Sequence, residues 1–322
     1  MAPISKEPRP AHAVTRAAFL KGAATAVAVA AAAPLVKAMP AFAAEASGLA
    51  LRTVPKSFEG HVKLPVIGLG TRSMSKTDAK AVAGQAQVIT TLLDGGGKVI
   101  DTAANYTGGD SEEVIGDALA ATGKRGMAFI ASKYAEQTKA AGEASILNSL
   151  KVLRTNIVDL MFIHNMVAID TQLPVLEENK GRALRYIGIS DTSDRQDELE
   201  KYLDRLDFIE FAYAADMRGA EKRLLPAAKD KGVAVLVALP LGRGRALQAV
   251  KGKQVPEWAK KELGVETHAQ LLLKFVIGHP AVTVAIPSTL DPKHMQENLA
   301  AGRGPIPDEK QRAKIAAIWE GA

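Results

Sequence analysis

Four polar side chains in this 322-residue chain stand where apolar runs end. Asp101 closes the run 98–101, Lys133 closes 127–133 and His164 closes 158–164, while Tyr106 follows Asp101 by five residues. A phenol is a poor proton donor near neutral pH, but a neighbouring ammonium favours the phenolate and lowers its pKa. Lys133 is the residue to do this for Tyr106, with Asp101 holding the lysine charged and positioned. His164 is suited to donate a hydrogen bond to a carbonyl oxygen in the same pocket. The set fits delivery of a proton to an oxygen that becomes alkoxide as hydride arrives at carbon. A single charged strand end is usually a solvated cap, but several arriving together read as a site. Asn165, beside His164, is a candidate substrate contact.

The elements that must position these residues alternate along the chain. Eight short apolar runs occupy 65–70, 98–101, 127–133, 158–164, 185–190, 207–211, 233–239 and 282–287. Between them, apolar residues recur three and four apart, as at 81–93, 112–121, 143–153, 220–231, 268–277 and 292–301. Near-continuous apolar strands belong to a parallel sheet covered on its outer face. The spacing also predicts a short helix at 172–180 opening at Pro174, and an exposed fifth helix within 191–207. The long connection at about 240–266 is a candidate lid or covering loop. The reading is one α/β domain over 64–322, a (β/α)8 TIM barrel preceded by a lead-in at 44–63. Its site lies at the carboxyl ends of the strands. A doubly wound sheet is the rival, but it calls for G-x-G-x-x-G after the first strand. This chain has Gly68-Leu69-Gly70-Thr71-Arg72-Ser73 there, without the third glycine.

Composition narrows the partners. The net charge is +6, of which +4 falls in residues 1–43, so the remainder makes no case for nucleic acid. The chain has no cysteine, which excludes disulfides and thiolate chemistry. His164 lacks partners at ligand spacing, so no metal is expected. Residues 22–36 are apolar, follow Arg16 and Lys21, and precede Ala41-Phe42-Ala43, the pattern of a secretory signal peptide over 1–43. The run is too short and alanine-rich for a stable membrane span. Its lead, Thr15-Arg16-Ala17-Ala18-Phe19-Leu20-Lys21, is similar to a twin-arginine signal with Ala17 in place of the second arginine. The expected location is exported, periplasmic, or cytoplasmic if that altered signal is not read.

Six stretches resemble the aldo-keto reductase family. They are VIDTAANY (99–106), GDSEEVIGDAL (109–119), ASKY (131–134), DLMFIHN (159–165), RYIGIS (185–190) and IPSTLDPKHMQENLAA (286–301). The exported bacterial members look most similar. The resemblance implies an oxidoreductase that reduces aldehydes or ketones by hydride transfer from NADPH, with NADH left open. It makes Asp101, Tyr106, Lys133 and His164 the catalytic set. Ser190, Asp191 and Glu210 fall where the family binds the nicotinamide carboxamide through Ser, Asn and Gln. An ionised carboxylate only accepts hydrogen bonds, whereas an amide also donates, so both acids are expected to weaken that contact. Ala238 falls where an aromatic commonly stacks on the ring. Leu241, Gly242 and Gly244 align with a pyrophosphate-covering loop, and Ser288, Thr289, His294, Glu297 and Asn298 with the adenosine site. The altered carboxamide positions and Ala238 also leave room for a different class of function, a low-turnover cofactor-binding barrel that senses redox state. A barrel isomerase or hydrolase would need a metal cluster or paired carboxylates that the sequence does not offer. Substrate identity and oligomeric state are not encoded in these features.

Overall fold

The computed structural model describes residues 48–57 and 60–320, and the expected signal peptide at 1–43 lies outside the described residues. Two short strands, β1 (Leu51–Thr53) and β2 (Lys63–Pro65), pair antiparallel. Eight more form one parallel sheet in sequence order: β3 (Leu69–Gly70), β4 (Val99–Asp101), β5 (Phe129–Tyr134), β6 (Val158–His164), β7 (Leu184–Asp191), β8 (Phe208–Ala212), β9 (Ala234–Ala238) and β10 (Val284–Ala285). The first and last meet through parallel bridges, Ile67 with Ala285 and Gly70 with Ser288. The sheet therefore closes into a barrel, and the doubly wound alternative falls.

Helices follow the strands and cover the outside. They are α1 (Ala79–Asp94), α2 (Asp110–Thr122), α3 (Lys139–Val152), α4 (Ile169–Asn179), α5 (Gln196–Leu199), α6 (Leu224–Asp230), α7 (Arg245–Ala249), α8 (Glu257–Leu263), α9 (His268–Ile277), α10 (Pro292–Ala301) and α11 (Glu309–Glu320). Their starts follow capping chemistry: Asp78 and Thr138 accept from backbone N–H groups of α1 and α3, and Thr267 with Gln270 forms a capping box on α9. Pro174 does not open α4. Buried Ile169, Leu173 and Leu176 share one face, and that burial carries the helix through the proline. The expected fifth helix is only α5 plus a tighter turn at 200–205, because β7 runs on to Asp191. The long connection after β9 is not an open loop but holds α7 and α8.

Side chains alternate across each strand, and the barrel interior is built on that period. Val99, Phe129, Ala131, Leu160, Phe162, Tyr186, Phe208, Leu236 and Val284 fill it, plugged from the hairpin side by Val54 and Leu64. The rings of Phe129, Tyr186 and Phe208 stand 5.4–6.1 Å apart. Gly188 sits among them because a Cβ there would meet Phe208 O at 2.5 Å and Phe162 Cδ1 at 2.6 Å. The next inward positions, one step toward the carboxyl ends, are polar: Asp101, Lys133, His164, Ser190 and Glu210. An apolar plug thus carries a polar layer.

Candidate active site

The polar layer floors a cavity of about 870 Å³ at the carboxyl ends of the strands. Backbone hydrogen bonds extend the β4–β5 pairing past Asp101, Thr102 N–H donating to Ala131 O and Ala104 N–H to Lys133 O, each at 2.9 Å. They set the turn at 106–109, and with it Tyr106, beside Lys133. Thr71 fixes the strand end by donating through its backbone N–H and hydroxyl to Asp101 O at 3.0 and 2.8 Å. Thr107, left-handed at φ 49°, donates to Met74 O. Asn165, Met166, Ala168 and Leu239 also carry positive φ just past strand ends. Strained backbone of this kind gathers where function fixes geometry.

Lys133 is wholly buried, and its Nζ donates to Asp101 Oδ1 at 2.5 Å, Asp101 Oδ2 at 2.6 Å and Thr102 O at 3.0 Å. Glu210 Oε2 lies 3.3 Å from the same nitrogen, out of line for a hydrogen bond. The ammonium stands 5.2 Å from the Tyr106 ring centre, and the Tyr106 and His164 rings meet edge to face at 5.8 Å. The four residues expected to act together are therefore brought together. Burial opposes the lysine charge, but the carboxylate of Asp101 overcomes it and holds Lys133 protonated. Burial pushes the Tyr106 phenol up to about 12, against the pull of Lys133 and with a push from the negative charge of Asp101. Lys133 lowers the phenol as expected, but burial with the Asp101 charge outweighs it, so the net shift is upward. His164 moves down to about 4 through burial and the positive charges of Lys133 and Arg72, so it is a neutral imidazole.

Two carboxyls flank one lysine. Burial raises both, and the charge on Asp101 raises Glu210 further, well above the usual carboxylate range. Burial and the Asp101 charge thus bias Glu210, rather than the lysine-chelating Asp101, toward the protonated form. A protonated carboxyl both donates and accepts, so in that form Glu210 has the hydrogen-bonding set of an amide, whereas the ionised form only accepts. Asp191 also departs from expectation. Its oxygens take Arg195 Nη2 and Ser193 Oγ, each at 2.6 Å, and it does not border the cavity. Arg195, four residues on, neutralises it and also donates to Asn165 O at 2.7 Å.

Glu210 Oε2, Ser190 Oγ and His164 Nδ1 are buried without hydrogen-bond partners, and all three residues border the cavity. Buried polar atoms are seldom left so, and a ligand amide placed against Ser190 and Glu210 would satisfy both. The residues thus fit a nicotinamide carboxamide. Leu241, Gly244 and Ser288 also border the cavity, as do Asn165 and Ala238. Gly242 is buried beside Asp216 instead. Thr289, His294, Glu297 and Asn298 lie beyond the cavity, from the end of β10 into α10. Thr71, Arg72, Asn105, Thr107, Thr192 and Pro240 line the cavity without having been singled out from sequence. Their position just past strand ends was the available signal. Among the described residues no cluster of three or more metal-ligating side chains occurs, and no helix is long and apolar enough to cross a membrane.

Comparisons with known proteins agree with this geometry. The model of the aldo/keto reductase family matches residues 66–320. The chain is 33% identical over 212 residues to aldo-keto reductase YhdN of Bacillus subtilis, covering 60% of this chain but only 62% of that protein's length. It is 31% identical over 257 residues to methylglyoxal reductase YeaE of Escherichia coli, covering 76% and 87%. A crystal structure of an aldo/keto reductase from Klebsiella pneumoniae in complex with NADP and acetate superposes with a TM-score of 0.70 at 27% identity, covering 81% and 94%.

Proposed function

Because the chain belongs to the aldo/keto reductase family, we propose that it reduces the carbonyl group of small aldehydes or ketones with NADPH, Tyr106 giving the proton. The observation that carries this reading is the cluster of Tyr106, Asp101 and His164 lining one cavity, with Lys133 buried against Asp101 and Tyr106. Ser190, Glu210, Leu241, Gly244 and Ser288 would hold NADPH, whose chemistry when bound would be hydride donation. The chain's own residues manage the oxygen. His164, neutral at physiological pH, donates one hydrogen bond to the carbonyl oxygen without competing as an acid. Tyr106 enters the reaction protonated and releases its proton only to a strongly basic oxygen, such as the alkoxide that forms. Lys133 then faces the phenolate, and Asp101 with Thr102 O keeps the ammonium from swinging away. General-acid transfer of this kind contributes about 10²–10⁴-fold and a well-placed oxyanion donor about 10²–10³-fold.

The observations that favoured a low-turnover sensor weaken here. Asp191 is engaged by Arg195, and the protonated form that burial favours in Glu210 can both donate to and accept from a carboxamide; Ala238 still speaks for weaker binding. The test is NADPH consumption with a panel of aldehydes and quinones, matched to alcohol formed. Tight NADPH binding with no turnover of any carbonyl would move the assignment to the sensor. We also infer that the protein is exported and cut after Ala43, as the sequence of residues 1–43 suggests. N-terminal sequencing of protein from the periplasm checks this, and an intact cytoplasmic chain would refute it.

A further inference from the structure

Arg72 follows β3 at the rim of the cavity, exposed to solvent and bordering it together with Asn105, Tyr106 and His164. It makes no ion pair or hydrogen bond among the described residues. Arg154 is engaged with Asp117, Arg195 with Asp191, Arg205 with Glu177 and Arg223 with Glu200. Arg182 and Arg243 are exposed and unpaired like Arg72, and of these two only Arg243 borders the cavity. The two acids that border the cavity, Asp101 and Glu210, are buried at its floor and committed to Lys133. Arg243 apart, the other polar residues that line the cavity past the strand ends, among them Asn105, Thr107 and Asn165, are neutral. Arg243 also borders the cavity but lies in the loop after β9, among the residues that fit the nucleotide. The charge of Arg72 is felt at His164, where it disfavours a second cation. The same field favours an anion.

A guanidinium is a planar fork that matches a carboxylate with two parallel hydrogen bonds. The geometry points to Arg72 as a specificity-determining residue that selects carbonyl substrates carrying a carboxylate, held at the rim while the carbonyl lies against Tyr106 and His164. This assignment rests on the reductase reading and narrows its substrate class.

The test compares para-carboxybenzaldehyde with para-carbamoylbenzaldehyde, which share shape and differ in charge, using the NADPH-loaded enzyme. Wild type should favour the acid in kcat/KM, and added salt should erode the preference. In Arg72→Gln the acid-to-amide ratio should fall by about tenfold or more, the loss of one charge-assisted contact, and should no longer respond to salt. Arg72→Lys should retain part of it. Calorimetric affinity of the NADP-loaded protein for the two aldehydes reads the same contact without turnover. Equal affinity for acid and amide in wild type, or a ratio unchanged in Arg72→Gln, would overturn the assignment. An unchanged ratio with a raised Kd for NADPH would give Arg72 to a cofactor phosphate instead. Absence of turnover by wild type, with the acid still preferred in binding, would sink the reductase reading and leave the carboxylate site standing.

Discussion

Replacing Glu210 by glutamine should leave the protein about as stable as before, and replacing Asp101 as well should not. Both surround the buried Lys133, with Asp101 Oδ1 at 2.5 Å and Glu210 Oε2 at 3.3 Å from its nitrogen. At an effective dielectric near 20 these separations correspond to gross attractions of about 7 and about 5 kcal/mol. Glu210→Gln exchanges a neutral acid for a neutral amide of the same shape, so its cost should stay within about 1 kcal/mol. In Asp101→Asn, Glu210 loses the negative neighbour that keeps it protonated and ionises toward Lys133. The cost is then the difference between the two attractions, about 2 kcal/mol. The double variant leaves a buried ammonium with no counterion, which costs about 3–5 kcal/mol. The double should therefore exceed the sum of the singles by about 1–2 kcal/mol, the signature of one acid standing in for the other. Urea unfolding of the four proteins at neutral pH without nucleotide, at matched slopes, measures this. A cost of about 3 kcal/mol or more for Glu210→Gln alone, with an additive double, would show instead that Glu210 carries the charge.

Three further outcomes follow from burial. His164, held near 4, should contribute no inflection to the pH profile of kcat/KM between pH 5 and 8; an inflection near its ordinary value that vanishes in His164→Gln would refute the neutral imidazole. Lys274 is buried and donates to Arg303 O and Pro305 O, and burial lowers it from 10.5 to about 8. The unfolded chain then holds more protons between about pH 8 and 10.5, so this residue's contribution to stability rises with pH across that window. The stability of wild type minus that of Lys274→Met should climb over this range, and a flat or falling difference in urea unfolding would contradict it. Gly188→Ala drives a methyl into Phe162 and Phe208 and should cost about 1–3 kcal/mol, measured the same way; an unchanged midpoint would mean that the barrel interior is not tightly packed.

The barrel was legible because its strands need unbroken apolar runs, and each of the eight runs became a strand of the closed sheet. Asp101, Lys133 and His164 were legible because they end those runs, and period-two alternation sends them all inward. Helix ends were read less well where tertiary burial overrode a local signal, as when Ile169 and Leu173 carried α4 through Pro174. The orientation of Asp191 is set by Arg195, a partner visible at four-residue spacing but only decisive once β7 is known to extend to Asp191. The protonation of Glu210 was beyond sequence reasoning. It depends on β4, β5 and β8 delivering two acids to one lysine, from residues more than a hundred positions apart. Arg72 was invisible for a similar reason, since its unpaired state appears only when the neighbouring rim is known.

The role of Tyr106 is the central claim, and Tyr106→Phe tests it most directly. Consumption of NADPH with an aldehyde that wild type reduces should fall by about 10²–10⁴-fold, while NADPH still quenches protein fluorescence with a Kd within about threefold of wild type. Turnover that persists near the wild-type rate would contradict the account, because the proton would then reach the carbonyl oxygen by another route.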